Sequence, residues 1–428
     1  MAGWILVALL ALVFSAVPVA AVLGILSLGL DTIFMDGRMR LGIGDFVWEQ
    51  SKEYILVAVP MFILLGEIML RAGIATRMYN AVIQWLSWLP GGLMHANIGS
   101  CAIFAASSGS SVATAATVGT VAIPQIESRR YNEPLFLGTL AAGGTLGILI
   151  PPSINLILYG LLTDTSVPEL YLAGIFPGLI LATLFMLMII IACTYKRAWG
   201  GTKVETSWSA RIRCLPDLLP PILLFCAVVG SIYGGIATPT EAASIGVVFA
   251  LIIAAWHKAL SFKMLLEAFE GTMRTSAMIM LIILAAVFLN FVLGFIGVTQ
   301  ALTGAITDLG LTPMQTMIIM ILFYLVLGMF METLSMMLTT VPLTFPIAQS
   351  LGFDGVWFGI MVTVLMETAL ITPPIGVNLY VVHGIRQGKG NFNDISIGAI
   401  PFVITMLIMI ALLLFYPQIA LWLPQKFY

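Results

Sequence analysis

Leu149-Ile150-Pro151-Pro152-Ser153-Ile154-Asn155 and its counterpart Leu370-Ile371-Thr372-Pro373-Pro374-Ile375-Gly376-Val377-Asn378 decide how this chain folds. Each double proline sits inside a strongly apolar run, Thr145 to Leu162 and Val362 to Val382, and an asparagine follows within a few positions. A helix does not pass undisturbed through two adjacent prolines, because each removes a backbone donor and clashes with the preceding turn. Within a bilayer such a break is tolerated only where protein or enclosed water re-satisfies the freed carbonyls. The punctuation is duplicated: Pro124 precedes Pro152 by 28 residues, Pro346 precedes Pro374 by 28, and the two double prolines stand 222 residues apart. Interrupted membrane helices in matching positions of two halves mark a secondary transporter with its site near the midplane.

Composition sets the same class. Of 428 residues 60% are hydrophobic and 9% charged, with a mean hydropathy of +1.08, whereas a soluble domain carries about 25% charge. The chain is read as an all-α polytopic membrane protein. Met1 to Leu30 has no Lys or Arg ahead of its apolar run, so it is expected to be retained and not cleaved as a signal peptide. Cys101, Cys193, Cys214 and Cys226 form no CxxC pair and are read as small hydrophobes. No basic run suits nucleic acid. The net charge of −2 implies no partner.

Apolar segments near the spanning length of about 20 residues run over Glu53–Leu70, Pro134–Leu162, Tyr171–Tyr195, Leu218–Tyr233, Glu241–Trp256, Thr275–Ile296, Val356–Val382 and Ile397–Trp422. Trp4–Leu30 contains Pro18, read as the counterpart of Pro239, and is expected to form two short or tilted passes. Pro220-Pro221 is placed at the start of its crossing, where a helix tolerates proline. Five crossings per half make the two halves inverted repeats: 1–195, with hairpin 93–124 and broken helix 134–162, and 217–428, with hairpin 312–346 and broken helix 356–382. Residues 196–216 form a cytoplasmic connecting loop. That orientation puts fourteen of the eighteen Lys and Arg inside and leaves Arg38, Arg40, Lys52 and Lys426 outside, the asymmetry of the positive-inside rule. Both termini then face the periplasm. Short amphipathic stretches, Gly44–Lys52 and Ser261–Arg274, are expected to lie flat at the interface as arms.

The two hairpin segments are apolar at their ends and polar in the middle: Ser107-Ser108-Gly109-Ser110-Ser111 in one, Glu332-Thr333 in the other. Re-entrant half-helices would keep these tips facing protein and not lipid. Hydroxyl and carbonyl oxygens of the first tip, with those of the Pro151-Pro152 break, suit a hard cation such as sodium. The second tip, with Thr339 and Thr340 along its inner arm, is expected to face the second break at Thr372 and Gly376. The candidate sodium ligands are therefore Ser107, Ser110, Ser111, Pro151, Thr339, Thr340, Thr372 and Gly376. Half-helix N-termini attract an anionic group, and Ser108, Ser110, Ser153, Asn155, Glu332, Thr333 and Asn378 are the candidate substrate contacts. A carboxylate at mid-bilayer costs about 2.5–3.5 kcal/mol on insertion scales, which makes Glu332 and Glu367 functional candidates; Glu67, close to Arg71, carries less weight. Thr238-Pro239-Thr240-Glu241 reads as a capping box with a structural role. His95, His257 and His383 are scattered and form no zinc-like spacing.

On these residues the chain resembles the large membrane subunit of a tripartite ATP-independent periplasmic (TRAP) transporter, within the wider group of inverted-repeat, elevator-type transporters. The matching pieces are Gly234-Gly235-Ile236-Ala237-Thr238-Pro239-Thr240-Glu241-Ala242-Ala243, Ile150-Pro151-Pro152-Ser153-Ile154, Leu370 to Leu379, and Ser108 to Thr114. Glu332 stands where the resemblance leads one to expect Asp or another small polar group. The resemblance implies sodium-driven uptake of an organic acid, such as sialic acid or a C4-dicarboxylate, across the bacterial inner membrane. It also implies a soluble periplasmic binding protein and a small four-helix membrane subunit, expected on a separate chain. ATP takes no part, in keeping with the absence of a phosphate-loop motif from the sequence. The alternative is a stand-alone sodium-coupled anion carrier that needs no binding protein. An intramembrane hydrolase using a tip serine lacks a base, since His95 lies about three helical turns away, and paired closed hairpins describe gated sites better than a passive channel.

Overall fold

The computed structural model describes residues 12, 17–202, 204, 206–298, 300–301, 304, 310–386 and 390–428, without the side chains of 106 and 107. Its regular structure among these residues is entirely helical. Six helices are long and apolar enough to cross a membrane: Tyr54–Arg71, Val167–Tyr195, Leu215–Tyr233, Pro239–Trp256, Phe262–Ile296 and Phe392–Phe415. A seventh is the bent pair Glu133–Leu149 and Ile154–Thr163, angled by 44° at the Pro151-Pro152 link. The second double proline separates Gly355–Leu370 from Val377–Ile385 in the same manner.

Both hairpin segments fold as paired helices. Leu93–Ser108 ends on Gly109, whose φ of 59° is the left-handed value that glycine adopts without penalty. Ser110 then caps Ser111–Ala122, accepting from the Ala113 amide at 3.4 Å. The second hairpin pairs Pro313–Gly328 with Thr333–Ser350, and Glu332 is the cap of its inner arm. That arm continues past Pro346, four residues beyond the expected boundary. Tyr324 stitches the two arms together, meeting the hydroxyls of Thr340 at 3.0 Å and Thr344 at 2.7 Å.

Several boundaries differ from expectation for physical reasons. The arm Ser261–Arg274 and the crossing after it are one helix of 35 residues, about 52 Å long at 1.5 Å per residue. Charges alone do not stop a helix, no Pro separates the two parts, and the single glycine near the junction, Gly271, is carried within the helix. The arm near residue 44 is, by contrast, a separate helix, Ile43–Ser51. Pro220 and Pro221 lie inside Leu215–Tyr233, because that helix starts three residues early. The last crossing is Phe392–Phe415, followed by a distinct helix at Gln418–Phe427, with Pro417 at the joint. Pro18 precedes Val19–Phe34 as its cap, while the pass placed before it lies outside the described residues. The Thr238–Glu241 capping box is formed, with Glu241 Oε2 accepting from the Thr238 amide at 2.8 Å.

The two halves are interleaved. The trailing piece of the first broken helix, Ile154–Thr163, packs on the inner arm of the second hairpin, and Val377–Ile385 packs on Ser111–Ala122 of the first. Tyr159 reaches across to donate to the Gly355 carbonyl at 2.7 Å. The leading piece of the first broken helix, Glu133–Leu149, lies against the last long crossing, Phe392–Phe415. The approach is close enough that a Cβ on Gly138 would collide with the Gly398 carbonyl, and one on Gly398 with the Pro134 carbonyl. Small residues are what allow helix backbones to meet this closely in membranes. At the end of this contact Arg386, 7% exposed, joins Glu133 and Asp394.

Candidate functional site

The tips of both hairpins and the first break line a single cavity of about 170 Å³. From the first tip come Ser108, Gly109, Ser110 and Ser111, from the second Glu332 and Thr333, and from the trailing piece of the first broken helix Ile154 and Asn155. The opposite wall is built by Ile63, Gly66, Glu67 and Leu70 of Ala58–Arg71 and by Thr275 and Ile279 of the 35-residue helix.

Glycines set the closeness of tip and break. A Cβ on Gly109 would stand 3.1 Å from the Pro152 carbonyl oxygen, and one on Gly147 would stand 2.7 Å from the Ser110 carbonyl oxygen. The first tip is thus seated directly on the first broken helix. Ser108 and Thr114 share a hydrogen bond of 2.7 Å between their hydroxyls, which closes the tip on its own inner arm. Asn155 is buried with its Nδ2 lacking a partner among the described residues. A buried donor left unpaired costs about 1–3 kcal/mol, and this one belongs to a residue that lines the cavity.

The second tip is more self-contained. Glu332 Oε1 accepts from the Thr333 hydroxyl at 3.1 Å, and Oε2 accepts from the Ser335 amide at 3.2 Å. The carboxylate therefore caps a half-helix whose N-terminal dipole favours negative charge, while still lining the cavity.

Of the expected substrate contacts, Ser108, Ser110, Asn155, Glu332 and Thr333 line this cavity together. Ser153 instead caps Ile154–Thr163, accepting from the Leu156 amide at 3.3 Å. Asn378 lies away from the second tip, its Nδ2 donating to the Ala141 carbonyl at 3.2 Å. Among the expected sodium ligands Ser110 and Ser111 line the cavity, Pro151 is buried in the break, and the Ser107 side chain lies outside the described residues. Thr339 donates to the Ser335 carbonyl at 2.7 Å and Thr372 to the Thr368 carbonyl at 2.7 Å. Thr340 belongs to the Tyr324 ladder, and the Gly376 carbonyl accepts from the Leu379 amide at 2.9 Å. Threonines in this state keep oxygen lone pairs for a cation.

Glu67, a minor candidate in the sequence, and Thr275, which no sequence signal singles out, both line the cavity. Glu67 lines the cavity and accepts from Arg71 Nε at 3.0 Å, and Arg71 Nη1 reaches Glu267 at 2.9 Å. This triad ties Ala58–Arg71 to the long helix, so that the wall facing the tips is braced. Only a carboxylate at spanning depth signals it in the sequence.

Residues 6–419 match the family described as tripartite ATP-independent periplasmic transporter, DctM component. The chain is 35% identical over 385 residues to the C4-dicarboxylate TRAP transporter large permease protein DctM of Pseudomonas aeruginosa, covering 89% of this chain and 88% of that one. It is 30% identical to the sialic acid TRAP transporter large permease protein SiaM of Vibrio cholerae, over 97% and 94% of the two chains. It is 31% identical to the ectoine/5-hydroxyectoine TRAP transporter large permease protein UehC of Ruegeria pomeroyi, over 86% and 85%. Among solved structures the YdaH transporter of Alcanivorax borkumensis superposes with a TM-score of 0.62 at 15% identity, covering 90% of this chain and 89% of that one. That likeness is one of fold alone.

Proposed function

We infer function from the premise that this chain belongs to the DctM-component family and is the large membrane subunit of a TRAP transporter. It is a multi-pass membrane transporter, not an enzyme. The finer reading proposed is that it carries a small organic acid inward across the bacterial inner membrane, driven by sodium. A periplasmic binding protein would deliver the acid, and a small four-helix membrane subunit would complete the scaffold. Both termini would lie on the periplasmic side.

The observation that carries this reading is the convergence of two duplicated tips and one break on one cavity. The N-terminal ends at Ser111 and Thr333 and the donor of Asn155 offer an acid its hydrogen bonds, and tip and break carbonyls offer oxygens to a cation. Because each hairpin packs on a broken-helix piece from the other half, tips and breaks would travel as one body. They would slide past the wall braced by Arg71, in the manner of an elevator. Sodium that orders a tip would raise affinity for the acid, and the acid would raise affinity for sodium by the same factor.

Relatives named for C4-dicarboxylates, sialic acid and ectoine share a carboxylate, and that is the cargo class proposed here. Proteoliposomes holding both membrane subunits, supplied with the binding protein and a panel of carboxylates, provide the test. Accumulation is expected only under an inward sodium gradient with the binding protein present. Uptake that persists in choline would sink sodium coupling, and uptake without the soluble partner would favour the stand-alone carrier.

A further inference from the structure

Glu367 lies in the last turn of Gly355–Leu370 and is 1% exposed. Its Oε2 accepts from the Ser111 hydroxyl at 2.7 Å, whereas Oε1 has no partner among the described residues. Every ion pair among these residues lies elsewhere. A second buried acceptor is also unanswered. Asn378 has its Nδ2 fixed on the Ala141 carbonyl, and its Oδ1 is left without a donor.

Both groups flank Ser111. A Cβ on Gly144 would stand 3.0 Å from Asn378 Nδ2 and 3.0 Å from the Ser111 carbonyl oxygen, so glycine is what lets the asparagine close on the tip. The ensemble is a buried carboxylate, a hydroxyl and an amide oxygen, contributed by the first hairpin and by both pieces of the second broken helix. A buried charge without a counter-charge is strongly unfavourable. Oxygen donors with one carboxylate are the set that a hard cation selects.

We propose that Glu367 supplies the counter-charge for a monovalent hard cation, sodium, held between the first hairpin tip and the second broken helix by Glu367, Ser111 and Asn378. The proposal rests on the sodium-coupled reading above and goes beyond it by assigning the ion's charge partner to one residue, outside the cavity of the tips. It also makes the ion a bridge between the halves. The site is complete only while Ser111 is seated against Gly355–Leu370.

Glu367→Gln separates charge from shape, since the amide oxygen still accepts from Ser111. Melting of the purified two-subunit complex is followed while NaCl replaces choline chloride at constant ionic strength. Wild type is expected to gain stability with a saturable sodium midpoint. Glu367→Gln is expected to melt at or above the wild-type temperature in choline and to need at least roughly tenfold more sodium, about 1.4 kcal/mol. A smaller shift overturns the assignment while leaving sodium coupling intact, as it would if Glu367 were a neutral acid. A wild-type complex indifferent to sodium, both here and in uptake, overturns the two together. Should Glu367→Gln fail to assemble, Ser111→Ala is read by the same tenfold criterion.

Discussion

Gly398→Val is expected to leave no assembled transporter in the membrane. The Gly398 backbone lies against the first turn of Glu133–Leu149, and even a methyl group there would strike the Pro134 carbonyl. Neither side can yield cheaply, because both obstacles are backbone held within regular helices. Overpacking a close contact commonly costs about 1–3 kcal/mol, and valine adds two methyl groups beyond the colliding Cβ. Separating the helices would also pull apart Arg386, Glu133 and Asp394, whose buried guanidinium would then lack partners. The measurement is the monodisperse fraction on fluorescence-detected size-exclusion chromatography. A yield within twofold of wild type would mean that the two helices are not held at this distance.

Glu332→Ala is expected to assemble and to lose uptake. The alanine removes the cap of Thr333–Ser350, costing about 0.5–2 kcal/mol, an amount a packed hairpin tolerates. It also removes the acceptor that holds Thr333 and Ser335, both 2% exposed, at the second tip. Hydrogen bonds to a charged group contribute about 1.5–3 kcal/mol, so transport should fall roughly ten- to a hundredfold. Glu332→Asp keeps charge and capping and should retain most of the rate. Rates of labelled-substrate uptake in matched proteoliposomes decide the matter, and equal rates for the alanine and wild-type proteins would remove Glu332 from the working parts.

Much of this architecture is written in local chemistry. The double prolines, the glycine and serines of the first tip and the Thr238–Glu241 box act within one or two turns, so their meaning survives without knowledge of distant partners. The second capping box, Thr312 with Gln315, has the same signature, and its amide and side chain meet at 2.9 Å. Long-range pairing is a different matter. Nothing in the neighbourhood of Asn378 says that its amide will find Ala141, and nothing near Ser111 says that it will meet Glu367 256 positions away. The helices that carry these groups, Glu133–Leu149 and Gly355–Leu370, are buried on nearly every side. With no polar face, such a helix has no periodicity to show which side meets which neighbour. The expected meeting of the second tip with Asn378 assumed that each half would close on itself, and the interleaved packing sends that asparagine to the other half.

That interleaving bears on origin as well as on motion. A single repeat standing alone would keep its hairpin on the leading piece of its own broken helix but would lack the trailing piece that the other half supplies, so it would be expected to work only as a pair of identical chains. Fusion of two copies would then have left each free to diverge, which fits a serine-rich tip in one and an acidic tip in the other. Cutting the chain within 196–216 and expressing the pieces together would recreate that ancestral arrangement, whereas either piece alone would lack half of its binding surface.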